Sequence, residues 1–317
     1  MCVILYTEIN GKKILAKNRD IPHNPNVELV HELVNGVEVA YIKDLTSGWV
    51  EGMNGDGIGI INSTLTTHKG KRNFKKKIIF KNNKIYQALC KTTKKGVLEH
   101  LIKQTKNGKI IRGVEGHTLL SIDDTILHIE QNVNEQFTIE TPNNPSVYSN
   151  HRLKLKEGGF TEGKKGLSSF LRKKMVETEL NNVEIYDLYD DILNNIMNVN
   201  CTNIHPTLHS YRDKNTTIKY SGDIDPNQIF ISTTGQVILN TTDKEFVYYS
   251  DIHNSKSVKY INNLPTNYVP KIRVIIKETE KNIKNKKRCF TSKYLNKIYK
   301  KFNYTNKKHN YTKKSRK

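Results

Sequence analysis

The 317-residue sequence is poor in cysteine. Its four cysteines, Cys2, Cys90, Cys201 and Cys289, lie far apart and form no C-x-x-C pair. That spacing excludes a disulfide framework and a zinc knuckle, and it leaves free thiols suited to a reducing compartment. Long apolar runs are missing too: no stretch approaches the roughly 18 apolar residues of a membrane helix. The opening segment, MCVILYTEINGKK, has a short apolar run, but no basic region precedes it and no small-residue cleavage site follows. It reads as a β-strand rather than a signal peptide, and the expected location is intracellular, in the cytoplasm. Tryptophan occurs once, and the sixteen tyrosines and nine phenylalanines are scattered, so no platform for stacking bases stands out. His205 and His209 lack the glutamate of an H-E-x-x-H zinc helix, and Pro206 opposes a helix between them. Gly55 and Gly57 lack the third glycine and the following helix of a dinucleotide site. Neither a metal nor an organic cofactor is expected.

What is present is polar and basic. The hydrophobic share is 36%, enough for a core, while the mean hydropathy of -0.64 makes the surface very polar. The net charge of +21 is concentrated. Residues 271–317 hold 18 Lys or Arg against Glu278 and Glu280, a net of +16, and the other 270 residues carry a net of only +5. The chain therefore divides into a body, residues 1–275, and a Lys-rich tail, residues 276–317, which reads as a short helix or a disordered arm. Lys and Arg interleaved with Tyr and Phe suit nonspecific contact with a polyanion or an anionic membrane surface.

Within the body, β-rich runs come first: Val3–Glu8, Lys13–Ala16, Val27–Leu33, Val37–Lys43 and Gly57–Asn62. Turn signals separate them, and Asn10-Gly11 predicts a hairpin with a primed turn. Ile85–Lys103 has helical spacing, with Leu89, Val97, Leu98, Leu101 and Ile102 on one side. Strands return at Thr118–Ile122, Ile126–Glu130, Phe137–Glu140 and Ser146–Tyr148. Leu167–Leu180 and Val183–Met197 read as helices, the second with a solvated acidic face at Asp187, Asp190 and Asp191. Ile218–Tyr220, Gln228–Thr233, Gln236–Asn240 and Phe246–Tyr249 close the body with strands. Strands, helix, strands, two helices, strands is not a βαβ order. It predicts an α+β domain in which helices cover antiparallel sheets.

One residue carries chemistry by its position. Removal of Met1, which a small second residue favours, would leave Cys2 with both a thiol and a free α-amine. An α-amine titrates near about 7.7–8 and a thiol near about 8.5, so the amine can accept the thiol proton at physiological pH. Nucleophile and base then belong to the same residue.

Four further segments carry a resemblance to a known group. Lys17-Asn18-Arg19-Asp20 follows Met1-Cys2 at the distance of an R-N-x-D motif, with Lys17 where that motif has arginine. Glu51-Gly52-Met53-Asn54-Gly55-Asp56-Gly57, then a strand ending at Asn62, is similar to a G-M-N-x-x-G turn. Ser149-Asn150-His151 is similar to a T-N-H segment, and Gly166-Leu167-Ser168-Ser169-Phe170-Leu171-Arg172 to a D-L-S-S-x-x-R helix start. Together, over residues 2–250, they resemble the Ntn-hydrolase group of choloylglycine hydrolase, penicillin V acylase and the acyl-coenzyme A:6-aminopenicillanate acyltransferase family.

That resemblance implies a four-layer αββα sandwich and cleavage of a linear, non-peptide amide C–N bond in a small-molecule substrate. An acyl-cysteine on Cys2 would be resolved by water, or by another acceptor in an acyltransferase. It also implies that Asp20 holds the amine, that Asn62 and Asn150 form the oxyanion hole, and that Arg172 supports the cluster. Either Lys17 or Arg19 would polarise the thiol or grip the substrate. His151 reads as structural, since the amine already fills the base's role. Ser168 reads as the helix N-cap. A different class of function, a degenerate hydrolase body whose basic tail binds polyanions, stands beside the enzyme reading.

Overall fold

The computed structural model describes residues 2–21, 26–65, 83–102, 115–132, 136–156, 167–182, 184–185, 187–197, 218–219, 230–250 and 258–278. The tail beyond residue 278, the His205–His209 segment, Cys201, Cys289 and most of the basic stretch 71–84 lie outside them.

Two sheets make up the body. The first joins β1 (Val3–Ile9), β2 (Lys12–Ile21), β10 (Ser146–Tyr148), β11 (Ile218–Lys219), β12 (Phe230–Asn240), β13 (Glu245–Ser250) and β15 (Arg273–Glu278). Its order is β10-β1-β2-β12-β13-β15, with β11 on the start of β12. The second runs β14-β3-β4-β5-β6-β7-β8-β9. Its strands are β3 (Val27–Val34), β4 (Val37–Asp44), β5 (Val50–Asn54), β6 (Gly59–Thr64), β7 (Gly116–Ile122), β8 (Thr125–Gln131), β9 (Phe137–Glu140) and β14 (Lys259–Asn263). Pairing is antiparallel except at two sheet edges, where β15 lies parallel to β13 and β14 parallel to β3.

Turn chemistry fixes the hairpins. Asn10 and Gly11 have φ of 51° and 74°, and Asn35 and Gly36 have 51° and 81°. Positive φ at both central residues is the primed turn that matches strand twist. Asp123 and Asp124, at 48° and 55°, make a third such turn without glycine. One positive-φ glycine within a strand is also obligatory. Gly116 has φ of 141°, and a Cβ there would sit 1.8 Å from the Ser63 carbonyl oxygen. Gly116→Ala is therefore expected to lower stability by about 3 kcal/mol or more through overlap and backbone strain, read as a drop in thermal midpoint. It would also displace Ser63.

The period-2 alternation of each strand sorts its side chains onto two faces. One apolar cluster takes Ile4, Leu15, Ala40, Ile42, Ile61, Leu119, Val237 and Phe246, and so lies between the sheets. A second joins the opposite face of the eight-stranded sheet (Val39, Tyr41, Ile60, Leu120) to Ile85, Leu89, Val97 and Leu101. The third joins Val3, Leu5, Ile14 and Val247 of the seven-stranded sheet to Val176, Ile192 and Ile196.

The helical segments differ from expectation in instructive ways. In place of one helix over 85–103 there are two, α1 (Lys84–Leu89) and α2 (Lys94–Ile102). Asn54 Nδ2 donates to the Leu89 and Lys91 carbonyls at 3.1 and 2.9 Å, taking up carbonyls left open where α1 ends. Thr93 Oγ1 then accepts from the Gly96 amide and opens α2. Helix α3 (Leu167–Asn182) begins before Ser168, which is inside the helix and not its cap. The expected 183–197 helix begins only at α4 (Leu188–Asp190) and continues as a π-helical segment, Asp191–Met197. Asp187 caps it, accepting from the Tyr189 and Asp190 amides. Asp190 is not merely solvated: it is bonded by Tyr249 Oη and Lys277 Nζ. Burial would raise its pKa, yet these two bonds hold it below the ordinary carboxylate value. No helix among the described residues is long and apolar enough to cross a membrane.

Candidate active site

Cys2 precedes β1, whose Val3 pairs with Asn18 of β2. One further step in that register sets Cys2 opposite Arg19. The thiol is buried, and Sγ donates to the Asp20 backbone carbonyl at 3.8 Å. The Asp20 carboxylate accepts from Thr233 Oγ1 at 2.6 Å. Strand β12 was expected as two strands; it is one, with a register shift between Thr233 and Gln236. That irregularity lets Thr233 meet Asp20 while Gln236 Nε2 donates to Asn18 Oδ1.

The Cys2 carbonyl oxygen is the meeting point of three side chains. Arg172 Nη1 donates to it at 3.2 Å and Ser149 Oγ at 3.2 Å, and Ser63 Oγ lies 3.4 Å away. Arg172 Nη2 also donates to Asn150 Oδ1 at 2.8 Å, so one guanidinium ties Cys2 to Asn150. Asn150 Nδ2 donates to the Thr64 carbonyl at 2.5 Å and to Ser63 Oγ at 3.1 Å. Arg172, at 0% exposure, is fully buried on α3, whereas its neighbours Lys173 and Lys174 are only partly buried and pair with Glu177.

Beneath Cys2 lies a buried ionic cluster. Lys17 and Arg19 are alternate residues of β2, so both project from one face. Lys17 Nζ donates to Glu51 Oε2 at 2.7 Å and to Asn62 Oδ1 at 3.2 Å. Arg19 Nε lies 3.4 Å from Glu51 Oε1, and its Nη2 lies 3.8 Å from Asp44 Oδ2. Burial works against the Arg19 charge, but Glu51 and Asp44, with smaller contributions from Tyr248 and Cys2, raise its pKa above the ordinary value. Of the two cations, then, Arg19 stands against Cys2, and Lys17 is engaged with Glu51 and Asn62.

His151 is buried beside Asn150 and its Nδ1 meets Ser169 Oγ at 2.9 Å. Burial, then the charges of His117, Lys173 and Arg172, push its pKa down to about 3, so it is neutral. Ser169 Oγ also accepts from the Asn150 amide at 2.6 Å. An open hollow lined by Asn35, Tyr86, Cys90, Lys91 and His100 lies against α1 and α2 and contains none of these residues.

Sequence reading thus missed Glu51, Asp44, Ser63, Ser149 and Thr233. Glu51 opens the Glu51–Gly57 motif, and a lone acid preceding a buried strand residue was the available signal. Ser63 and Ser149 each adjoin a singled-out asparagine, but nothing in a serine's neighbours tells where its hydroxyl points.

Solved structures align with most of the chain, three of them as follows. Two are variants of the conjugated bile acid hydrolase from Clostridium perfringens. Each covers 85% of this chain and 100% of its own, at 15% and 14% identity with TM-scores of 0.38 and 0.40. The third, penicillin V acylase from Agrobacterium tumefaciens, covers 82% of this chain and 89% of its own at 12% identity, with a TM-score of 0.40. No family model and no curated protein matches. Likenesses this distant assign the chain to no family.

Proposed function

We propose that the chain is an N-terminal-nucleophile amidohydrolase that cleaves a linear amide C–N bond through an acyl-cysteine on Cys2. The observation that carries this reading is the buried guanidinium of Arg172, 3.2 Å from the Cys2 carbonyl and 2.8 Å from the Asn150 carboxamide. A buried arginine that fixes a terminal cysteine against an amide donor has little structural motive of its own, since burying such a charge is costly. The fold in this reading is the four-layer αββα sandwich. The three apolar clusters, one between the sheets and one on each outer face beneath helical segments, support it.

Once Met1 is removed, the α-amine takes the thiol proton and the thiolate attacks the substrate carbonyl. Asp20, fixed by Thr233, holds the resulting α-ammonium, and Arg19 offsets the thiolate charge. Asn62 and Asn150 stabilise the oxyanion, which appears only in the tetrahedral intermediate. Lys17 holds the carbonyl end of Asn62, orienting its amide. Asn150 turns to the oxyanion by exchanging its longer bond, the 3.1 Å contact to Ser63. The C–N bond then breaks, the α-ammonium proton passes to the leaving amine, and water hydrolyses the acyl-cysteine.

Intact-mass spectrometry tests this directly. The purified active chain is expected to lack Met1 and, after brief exposure to a small acyl amide, to carry an acyl group on its N-terminal peptide. Turnover by a chain that retains Met1 would overturn the mechanism.

A further inference from the structure

Three titratable side chains next to this cluster have no part in the chemistry above. His128 on β8 pairs across the sheet with Glu140 on β9, and His117 on β7 pairs with Glu130 on β8. Period-2 alternation puts His117, His128 and Glu140 on one face, where the Tyr148 ring stacks on His128 at 3.8 Å between centroids. The three form a chain of short contacts. Glu140 Oε1 lies 3.1 Å from His128 Nδ1, and His128 Nε2 lies 3.0 Å from His117 Nδ1. His117 Nε2 lies 2.7 Å from the His151 carbonyl oxygen.

The His151 carbonyl accepts only, so His117 Nε2 carries a hydrogen and donates. A neutral His117 then accepts at Nδ1, so His128 Nε2 carries a hydrogen as well. A neutral His128 accepts at Nδ1, where it faces a carboxylate oxygen that also accepts. Three contacts need three hydrogens, and two neutral imidazoles supply two. The third is a proton shared between His128 Nδ1 and Glu140 Oε1.

The far end of the chain reaches Asn150. Residues 149–154 form no helix or strand, and side chains hold them in place. Ser63 Oγ donates to the Ser149 carbonyl, Ser169 Oγ accepts from the Asn150 amide, His117 holds the His151 carbonyl, and Glu130 accepts from the Leu153 and Lys154 amides. We propose that Glu140, His128 and His117 are positioning residues that hold the Asn150 segment through the His151 carbonyl, and that they do so only while the shared proton is present. The effect on turnover rests on the reading of Asn150 as an oxyanion donor; the shared proton does not.

The surroundings keep both imidazoles neutral. Burial, then His117, Lys154 and Lys173, push His128 down to about 2. Burial also lowers His117, with Lys173 adding to it, while the His151 carbonyl, Glu130 and Glu140 pull the other way. Lys154 Nζ stands 3.2 Å from the second Glu140 oxygen, and Arg172 and Lys173 act on His151. Neither imidazole takes a second proton unaided, so the third hydrogen has to come from outside the pair. Glu140 is also the exposed end, at 34%, through which the proton exchanges with solvent. The sign follows: the proton is present at low pH and leaves as pH rises, two lone pairs then face each other at 3.1 Å, and the chain opens.

Glu140→Gln is the decisive variant. Its carboxamide N–H donates to His128 Nδ1, and the chain is complete with two neutral imidazoles and no added proton. Wild-type kcat is expected to fall about 5- to 10-fold on the alkaline side, the worth of one hydrogen bond, and this limb should be absent in Glu140→Gln. His128→Phe keeps a ring against Tyr148 but breaks the chain, and should lower kcat about 10- to 100-fold at every pH with little change in KM. An alkaline limb that persists in Glu140→Gln, or wild-type kcat in His128→Phe, would overturn the proposal.

A second readout needs no turnover. In histidine-labelled protein, the His128 Nδ1 nitrogen resonance should move with pH in wild type and stay still in Glu140→Gln. If it does so in a chain that cleaves no amide, the shared proton stands and the enzyme reading falls. If amides are cleaved and that resonance ignores pH in wild type, the shared proton falls alone.

Discussion

Cys2→Ala is expected to lose amide cleavage outright, a fall of up to about 10⁶-fold in kcat of the kind that follows removal of a nucleophile, while the protein stays folded. The two halves of that expectation have separate physical grounds. In the proposed mechanism catalysis needs the sulfur, because the acyl intermediate forms on it. Stability hardly needs it. The thiol makes one long contact, 3.8 Å to the Asp20 carbonyl, and the groups that converge on Cys2 do so on its backbone oxygen, which alanine keeps. Losing a small side chain at a site that is 8% exposed is expected to cost about 1 kcal/mol. The measurement pairs turnover of a linear amide with a thermal melt. A folded Cys2→Ala chain that still cleaves would remove Cys2 from the mechanism. An unfolded one would show that Cys2 has a structural role the contacts do not reveal.

How far the sequence foretold this arrangement depends on what each residue answers to. Strands whose two faces meet two apolar layers were legible, because burial writes itself as apolar residues on both sides: Val3–Ile9 and Val37–Asp44 are the clear cases. The Asn10-Gly11 turn was legible because positive φ restricts residue type. Edge strands were not. β14 is almost wholly exposed, and β14 and β15 lie at sheet edges, where backbone pairing constrains residue type less than burial on two faces does. β5 was hidden for the opposite reason, since its five buried residues include Glu51, Gly52 and Asn54, which read as turn chemistry. At the break between α1 and α2 the open carbonyls are met by Asn54, more than 30 residues away, a partner that no local period records.

The site shows the same division. Cys2, Asn150 and Arg172 could be singled out one at a time, and the structure brings them into one hydrogen-bonded group. What could not be read was the second partner of each. A buried cation requires an anion, and the sequence offers many. Only the pairing of β4 with β5 and the projection of β2 across them select Asp44 and Glu51 for Arg19 and Lys17. Lys17, in the position where the resembled motif has arginine, points its ammonium at Glu51, and continuing the β1–β2 register puts Arg19 opposite Cys2.

That pairing sets up the second large effect. Glu51→Gln keeps shape and removes one charge, and it is expected to destabilise the fold by about 3–5 kcal/mol, because it strands buried cations. Among the described residues Glu51 is the acidic partner of Lys17 and the nearer of two for Arg19, at 2.7 and 3.4 Å, and all three side chains are at most 2% exposed. After substitution Lys17 retains the Asn62 carbonyl, and Arg19 retains Asp44 at 3.8 Å. In a chain this long, several kcal/mol corresponds to a thermal midpoint lower by on the order of 10 °C. A coupled pair also makes a sharper claim than a single loss. Lys17→Met alone should destabilise too, but Lys17→Met with Glu51→Gln should cost less than the two single changes summed, because the second substitution removes a charge the first has already orphaned. Additive losses in that cycle, or a Glu51→Gln chain as stable as wild type, would mean that Lys17 and Arg19 are solvated where they are described as buried. The cationic face beneath Cys2 would then be open to water, and the placing of Arg19 against the thiolate would fall with it.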